Sequence, residues 1–143
     1  MSKKSRDIEL FIVDIFVALE KIRQYSIDFD DADAFRHSSL HWDASIRQLE
    51  ILGESLNYLL DNELFSSHAP KYFRKIVNFR NVIVHEYFGI DEDEVWDVVT
   101  NKLSLLDQDM KMIIRQIDIS MAIKSVLDEP LDKSIKQMLR SLL

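Results

Sequence analysis

The sequence predicts an all-α protein, an up-and-down bundle of four main helices with an additional short C-terminal helix. Two observations favour helices. The 143 residues include only two Gly and two Pro, which leaves little room for a turn-rich β architecture. Apolar residues make up 47% of the chain and recur with the 3.6-residue period of a helix in four long segments. The length fits one domain, residues 1–143, that can bury a core.

The first two predicted helices cover about residues 6–26 and 40–61, each with an apolar face. Gly53 lies inside the second helix, where glycine costs about 1 kcal/mol relative to alanine and therefore indicates close packing. The acidic, aperiodic residues 28–39 between them are predicted to form a loop with room for one short helical turn. Trp42 and Trp96 fall at helical positions that indicate core or interface.

The remaining helices follow from capping residues and breakers. Pro70 suits the first turn of a third helix that ends near Gly89. Asp91 and Glu94 form an N-capping pattern for a fourth helix, whose apolar spacing allows it to continue past Met121 until Pro130. Residues 131–143 are predicted to form the short amphipathic C-terminal helix.

The composition limits the location and partners of the protein. The chain has no Cys, which excludes a disulfide framework and a thiolate zinc site and fits a reducing compartment. The acidic residues at 7, 9 and 14 interrupt the N-terminal apolar run, which disfavours a signal peptide, and no window is apolar enough to span a membrane. We therefore expect a cytoplasmic protein with no membrane partner.

The charge distribution is uneven along the chain. A net charge of −7 argues against a broad nucleic-acid-binding surface. Residues 64–85, however, contain no Asp or Glu, and Lys71, Arg74 and Lys75 precede Arg80 there. This local basic track makes the first three cations candidate contacts for RNA phosphates, with simple clustering of solvated charges as the alternative.

The third helix also carries the main candidate site, Arg80, Asn81, His85 and Tyr87. At about 100° per residue these four polar groups fall within roughly 160° of arc. Ile76, Phe79, Val82 and Ile83 are expected to fill much of the opposite side. A fixed cation, an amide and a side chain that exchanges protons near neutral pH are suited to handling a phosphodiester.

The spacing Arg-x-x-x-x-His is not specific by itself, because the chain contains it twice. Arg36 and His41 form the other copy, which begins in the aperiodic segment and lacks the following Asn. The context of the Arg80 copy, with Asn81 and Tyr87 on one helix, favours it as the functional one.

The chemistry that these residues allow is cleavage of RNA by its own 2′-hydroxyl, without a metal or other cofactor. His85 can act as base or acid, Arg80 can bind two phosphoryl oxygens, and Asn81 can fix the imidazole or the phosphate. One histidine is short of an acid–base pair, so a homodimer about this helix is expected. Metal catalysis would require clustered carboxylates near the phosphate, and capping explains the acids at 91–94 better.

Other polar residues are weaker candidates. His37, His41 and His68 show no ligand spacing. Glu54 and Asp14 interrupt apolar faces and are more often structural carboxylates. Either could cross the bundle to reach Arg47 or Arg80, so Arg47 and Glu54 are kept as candidate supporting residues.

Residues 79–91 resemble the signature of the HepT-like branch of the HEPN ribonuclease superfamily. Further similarity lies at residues 6–7, 14–15, 47–55 and 95–96, so the resemblance covers about residues 6–116. Residues 117–143 form a C-terminal helical extension without a clear counterpart. Ser55 stands where the family usually has Ala, a change that should matter little.

The resemblance implies an all-helical dimer with a composite cleft and metal-independent endoribonuclease activity. Arg80 and His85 match the catalytic pair of the family, and Asn81 matches the assisting polar residue. The resemblance also implies a toxin of a type VII-like toxin–antitoxin system, beside a cognate MNT-type nucleotidyltransferase antitoxin. Tyr87 matches the tyrosine that the antitoxin modifies with AMP, and phosphate beside Arg80 would neutralise the cation and repel RNA.

Two other functions remain open from the sequence. The chain could be a non-catalytic helical dimer that binds a nucleotidyltransferase, which the negative net charge favours. A third and weaker interpretation is a membrane or helix-groove binder through residues 131–143. Transfer RNA and messenger RNA are both open as substrates.

Overall fold

A computed structural model describes residues 7–86 and 89–143 and confirms the all-α prediction. Its helices, in chain order, are α1 (Ile8–Ser26), α2 (Ala32–His37), α3 (Ser39–Leu60), α4 (Glu63–Ser66), α5 (Phe73–His85), α6 (Glu92–Asp97), a π-helical segment (Val98–Lys102), α7 (Leu103–Ile113), α8 (Ser120–Val126) and α9 (Lys133–Ser141). Arg6, the predicted start of the first helix, lies outside the described residues.

The long helices α1 and α3 form the centre of the bundle. They share the most extensive helix–helix contact, and α3 packs next most extensively on α5. Phe11 of α1 stacks on Tyr58 of α3 with ring centroids 4.9 Å apart. Ile15 and Leu52 are fully buried in the same core, and burial of such side chains supplies the main driving force for packing. Helix α5 is thus supported mainly by α3.

Residues 28–39 contain the helix α2, which at six residues is longer than the one short helical turn that the sequence allowed within a loop. The Asp31 carboxylate caps this helix by accepting a hydrogen bond from the Ala34 backbone N–H at 2.8 Å. Phe35 is fully buried, and its ring centroid lies 5.7 Å from that of Trp42 and 5.5 Å from that of Trp96. Trp42 is 3% exposed, which confirms its assignment to the core. Aromatic packing therefore draws an acidic segment against the bundle.

Helix α5 begins later and ends earlier than the sequence indicated. Pro70 starts a turn in which its carbonyl accepts from the Phe73 backbone N–H at 3.2 Å. The helix ends at His85, because the backbone of Glu86 leaves the helical region with φ −127° and ψ 40°. The prediction that it ends near Gly89 was therefore wrong.

The fourth helix starts as predicted but does not continue past Met121. The Asp91 carboxylate caps α6 by accepting from the Asp93 backbone N–H at 2.9 Å. The helical path then passes through the π-helical segment and ends at Ile113. Beyond it, the Asp118 carboxylate accepts from both the backbone N–H and the hydroxyl of Ser120, at 3.0 and 2.7 Å. This local turn competes with helix continuation and directs the chain into α8.

The C-terminal helix α9 packs against α1. Ile135 and Leu139 are buried, and the Gln24 side-chain amide of α1 donates a hydrogen bond to the Ser134 hydroxyl. Its apolar side is thus directed at the bundle. In the parts of the chain that the structure describes, no helix combines the length and apolar character needed to cross a membrane.

Candidate functional site

The exposed face of α5 carries a continuous row of polar side chains. Four exposed residues follow one another along α5 at spacings of four, three and four residues: Arg74, Asn78, Asn81 and His85. At about 100° per residue they lie within about 60° of arc on one side of the helix. We call these four residues the α5 row. It exists because α5 buries Phe73, Ile76, Val77, Phe79 and Ile83 on the other sides.

Arg80 lies on the side of α5 that faces α3, directly over Gly53. A Cβ placed on Gly53 would lie 2.3 Å from the Arg80 Cβ and 2.6 Å from its Cγ. Because the Arg80 Cβ is fixed to the backbone, it cannot rotate away from such a contact. Gly53 therefore allows α3 and α5 to approach at this point, which confirms the close packing that its position indicated.

The guanidinium of Arg80 is directed back toward the α5 row by Asn81. Its Nη1 donates a hydrogen bond to the Asn81 side-chain oxygen at 3.0 Å. The Arg80 Nε is buried and has no hydrogen-bond partner among the described residues. Among those residues Arg80 also makes no ion pair. Among the described residues no carboxylate therefore neutralises its charge, and the guanidinium can attract an anion to the edge of the α5 row.

His85 occupies the last position of α5, where its imidazole is exposed at the end of the α5 row. Around the helix, Val82 and Val84 flank the imidazole on its two sides, and their side chains are 41% and 43% exposed. The prediction that Val82 faces the buried side was wrong, because α5 packs mainly on α3 and buries a narrower arc than expected. The imidazole is thus accessible to a substrate and bordered by apolar surface.

The predicted basic track occupies the start of α5. Lys71, Arg74 and Lys75 are exposed, and Arg74 Nη1 donates to the side-chain oxygen of Asn57 on α3 at 3.3 Å. Cations before and within the first turn of α5, and Arg80 further along the same helix, are therefore available to an anionic ligand.

Sequence reasoning missed Asn57 and Asn78. Asn78 could have been found from the helical spacing alone, because it lies four residues after Arg74 and three before Asn81, on the same helix face. Asn57 follows Gly53 by one helical turn and therefore lies, like Gly53, on the side of α3 that faces α5. The glycine was the available signal for Asn57, but its partner helix could not be identified from the sequence.

The start of α5 is tied to α7 by a buried polar contact. The half-buried Tyr72 hydroxyl donates to an Asp109 carboxylate oxygen at 2.5 Å. Burial, and then the hydrogen bond to Asp109, raise the pKa of Tyr72 above its ordinary range. The hydrogen bond from Tyr72 to Asp109 links the basic start of α5 to α7.

The supporting residues are not all brought to the site. Arg47 pairs with Glu50 of its own helix at 3.4 Å, with its side chain 67% exposed. Glu54 follows Gly53 on α3 and is half-buried. Tyr87, the predicted modification site, lies outside the described residues.

The second Arg-x-x-x-x-His copy is divided between two helices. The Arg36 guanidinium carbon lies 4.9 Å from the centre of the Trp42 ring. His41 Nδ1 is 2.7 Å from the Ser38 hydroxyl, and its ring packs edge-on against Phe29. These side chains are engaged in local packing and a side-chain hydrogen bond rather than in a shared polar surface. His37, beside them, contacts the Asp33 carbonyl oxygen through Nδ1 at 2.8 Å.

A cavity of about 530 Å³ lies elsewhere, between α1, the π-helical segment, α7 and α9. Its floor includes Phe16, Leu103 and Met138, and the ion pairs of Arg23 with Glu20 and of Lys111 with Asp107 flank it. None of the predicted site residues lines it. The candidate chemistry is therefore on an exposed helix face and not in this cavity.

Comparison with known proteins identifies the family of the chain. The sequence profile of a family described as ribonuclease HepT-like matches residues 15–117. A protein of Methanocaldococcus jannaschii provisionally named an RNase is 29% identical over 114 residues, which cover 79% of this chain and 100% of the relative. Another from the same organism, also provisionally named an RNase, is 26% identical over 114 residues, with 79% of this chain and 96% of the relative covered.

A third relative, from Thermococcus cleftensis, bears the name probable ribonuclease HepT. It is 29% identical over 98 residues, which cover 67% of this chain and 86% of the relative. No solved structure matches the chain significantly. The family match includes α3, α5 and α7, and so contains both Gly53 and the α5 row.

Proposed function

The chain belongs to the HepT-like ribonuclease family, and from that premise we propose that it is an endoribonuclease that cleaves RNA without a metal. Attack of a 2′-hydroxyl on the adjacent phosphorus forms a 2′-oxygen–phosphorus bond and breaks the bond to the 5′-oxygen. The products are a 2′,3′-cyclic phosphate and a 5′-hydroxyl. The 2′-hydroxyl loses a proton in this step and the leaving oxygen gains one.

Each step has a matching group on α5. The His85 imidazole takes the proton from the 2′-hydroxyl or supplies one to the leaving oxygen. The Arg80 guanidinium stabilises the charge that builds on the phosphoryl oxygens. Asn81 orients that guanidinium by accepting its hydrogen bond. The observation that carries the proposal is the arrangement of Arg80 and His85 on one helix. Arg80 has no carboxylate partner among the described residues, its guanidinium is bound by Asn81 and its side chain fits over Gly53, while His85 is exposed at the end of the same helix.

The experiment is cleavage of RNA by purified protein, unmodified at Tyr87, in excess EDTA. We expect products with 2′,3′-cyclic phosphate ends, and no cleavage of the same RNA carrying 2′-O-methyl groups, because the methylated oxygen cannot attack. Products with 5′-phosphate ends, or equal cleavage of the methylated RNA, would contradict 2′-hydroxyl attack. Loss of all activity in EDTA would contradict metal independence.

We place the active cleft at a homodimer interface about α5. A second copy supplies the second imidazole that an acid–base pair requires, and Val82 and Val84 provide exposed apolar surface beside His85. Val84→Asp should yield a monomer in sedimentation with cleavage lost. Leu105→Asp is the matched control, because Leu105 on α7 is similarly exposed at 49%. A Val84→Asp protein that stays dimeric, or cuts as a monomer, would contradict this arrangement.

The biological role that we propose is a toxin silenced by a nucleotidyltransferase antitoxin through AMP attached to Tyr87. The family resemblance supports this role, and the negative phosphate that AMP adds would repel the phosphates of RNA. The test is transfer of AMP from ATP by a nucleotidyltransferase encoded beside this chain. We expect the wild type to be modified and to lose cleavage, and Tyr87→Phe to remain unmodified. Modification of both proteins would show that AMP is attached to a residue other than Tyr87.

The alternative is a non-catalytic dimer that binds a nucleotidyltransferase through the same face. The net charge of −7 favours it, because most RNA-binding surfaces are basic. Absence of cleavage over a broad panel of RNAs by a folded, unmodified protein would make this the leading function.

A further inference from the structure

The arginines of the described structure differ in what holds their guanidinium groups. Arg23 on α1 contacts the Glu20 carboxylate at 2.6 Å, and Arg47 on α3 contacts that of Glu50 at 3.4 Å. On α5, Arg80 is held by the amide oxygen of Asn81 and Arg74 by that of Asn57. Among the described residues, neither α5 arginine has an ion-pair partner.

An amide and a carboxylate have different consequences for a bound arginine. A carboxylate orients the guanidinium but also cancels its charge and occupies its donors. An amide oxygen accepts one hydrogen bond and leaves the charge and the other N–H groups available. Arg74 is thus restrained by Asn57 but still equipped to bind an anion. Arg74 shares with Arg80, the residue to which the cleavage chemistry is assigned, a side-chain amide oxygen as the acceptor for its guanidinium.

The spacing of the two arginines matches neighbouring positions on one polynucleotide. The two arginines are six positions apart, so their Cα atoms lie about 9 Å apart along the helix axis. A stacked strand advances about 3.4 Å per nucleotide, so the two guanidiniums address phosphates roughly two to three stacked nucleotides apart, and fewer in an extended strand. Asn78 lies between them in sequence, follows Arg74 in the α5 row and is exposed.

We infer that Arg74 and Asn57 form a second phosphate-binding site, which holds a single RNA strand along α5 from the scissile linkage toward the start of that helix. The site rests on the proposed ribonuclease function and extends it. Arg74 contacts the phosphate, and Asn57 is a positioning residue that acts through Arg74. The row suits a single strand, because the major groove of duplex RNA is too deep and narrow for side chains to read.

Asn57→Asp is the most direct variant, because it keeps the shape of the side chain and converts the partner of Arg74 into a carboxylate. The matched control is Gln137→Glu, the same amide-to-acid change at an exposed position on α9. Arg74→Ala removes the cation itself. RNA affinity is measured at several salt concentrations in a His85→Ala background, so that the RNA stays intact, and cleavage is measured in the His85 proteins.

For a single-stranded RNA, we expect both Asn57→Asp and Arg74→Ala to weaken binding by about tenfold. Both should also reduce the slope of log affinity against log salt by about 0.7, the value for one phosphate of a single strand. The cleavage rate at saturating RNA should stay at the wild-type level. Replacement of one phosphate by a neutral methylphosphonate, at the position that Arg74 contacts, should abolish the difference between wild type and Arg74→Ala.

The inference is overturned if Asn57→Asp and Arg74→Ala match Gln137→Glu in affinity and salt slope while the wild type cuts RNA normally. A fall in the saturated cleavage rate with unchanged affinity would also overturn it, because Arg74 would then act on the chemical step. A wild type that neither binds nor cuts RNA would instead remove the proposed function together with this site. Binding without cleavage would remove the catalytic proposal alone, and the salt slope would still decide the second site.

Discussion

The two Arg-x-x-x-x-His copies of this chain have the same spacing but different surroundings. Arg36 packs its guanidinium over Trp42, and His41 contacts Ser38, so both side chains serve the junction of α2 and α3. Arg80, Asn81 and His85, in contrast, all lie on the single helix α5, whose last residue is His85. The Arg80 side chain packs over Gly53 of α3, and its guanidinium donates a hydrogen bond to Asn81. The spacing alone therefore carries no function. What matters is whether one helix presents both the arginine and the histidine, and whether neighbouring residues leave the guanidinium and the imidazole available to a ligand.

The largest expected effect separates the two arginines. Arg80→Lys keeps the charge but loses the planar fork that can bind two phosphoryl oxygens. We expect the single-turnover cleavage rate to fall by about 100-fold, the scale on which one transition-state donor contributes. Arg36→Lys changes a contact with Trp42 and should cut RNA at the wild-type rate. Equal losses in the two variants would contradict the assignment of catalysis to α5.

The next effect concerns the position of Arg80 over α3. Replacement of a helical glycine by alanine ordinarily stabilises by about 1 kcal/mol. For Gly53→Ala we expect the opposite, a loss of about 2 kcal/mol in urea unfolding, because the new Cβ overlaps the Arg80 Cβ and Cγ. Gly89→Ala is the control, since nothing lies within 4 Å of its added Cβ. A Gly53→Ala protein more stable than wild type would show that α3 and α5 are not held at this distance.

The smallest effect belongs to the copy at α2 and α3. Ser38→Ala removes the hydroxyl that contacts His41 Nδ1 at 2.7 Å. We expect a loss of about 1 kcal/mol in unfolding free energy, typical of one hydrogen bond, and an unchanged cleavage rate below the unfolding transition. If Ser38→Ala slowed cleavage while the protein stayed folded, the copy at Arg36 could not be purely structural.

The parts of the fold that follow from local periodicity could be predicted from the sequence. The all-α class and the polar face of α5 depend on the 3.6-residue period, which is set within one helix. The continuation of the fourth helix past Met121 was wrong for a local reason as well. Ile113 and Ile117 maintain the apolar period, but α7 ends at Ile113, and the Asp118 carboxylate instead holds the turn at Ser120 that begins α8.

The features that depend on the partner helix could not be predicted. Gly53 indicated a close approach, but the sequence did not show that Arg80 would be the neighbour. Asn57 was missed because its role exists only when α3 brings it to Arg74. Val82 was placed on the buried side because the width of the buried arc depends on how many helices surround α5. Long-range packing therefore determines which polar residues act together.

RNA cleavage by His85→Ala and His41→Ala, purified identically, equally folded and assayed in excess EDTA, distinguishes a catalytic site on α5 from one at α2 and α3. We expect His85→Ala to lose cleavage by at least about 100-fold, because its general acid–base group is gone, while His41→Ala keeps the wild-type rate. Equal cleavage by all three proteins would show that the activity lies elsewhere or is a contaminant. Loss in His41→Ala with activity retained in His85→Ala would place the catalytic pair at α2 and α3.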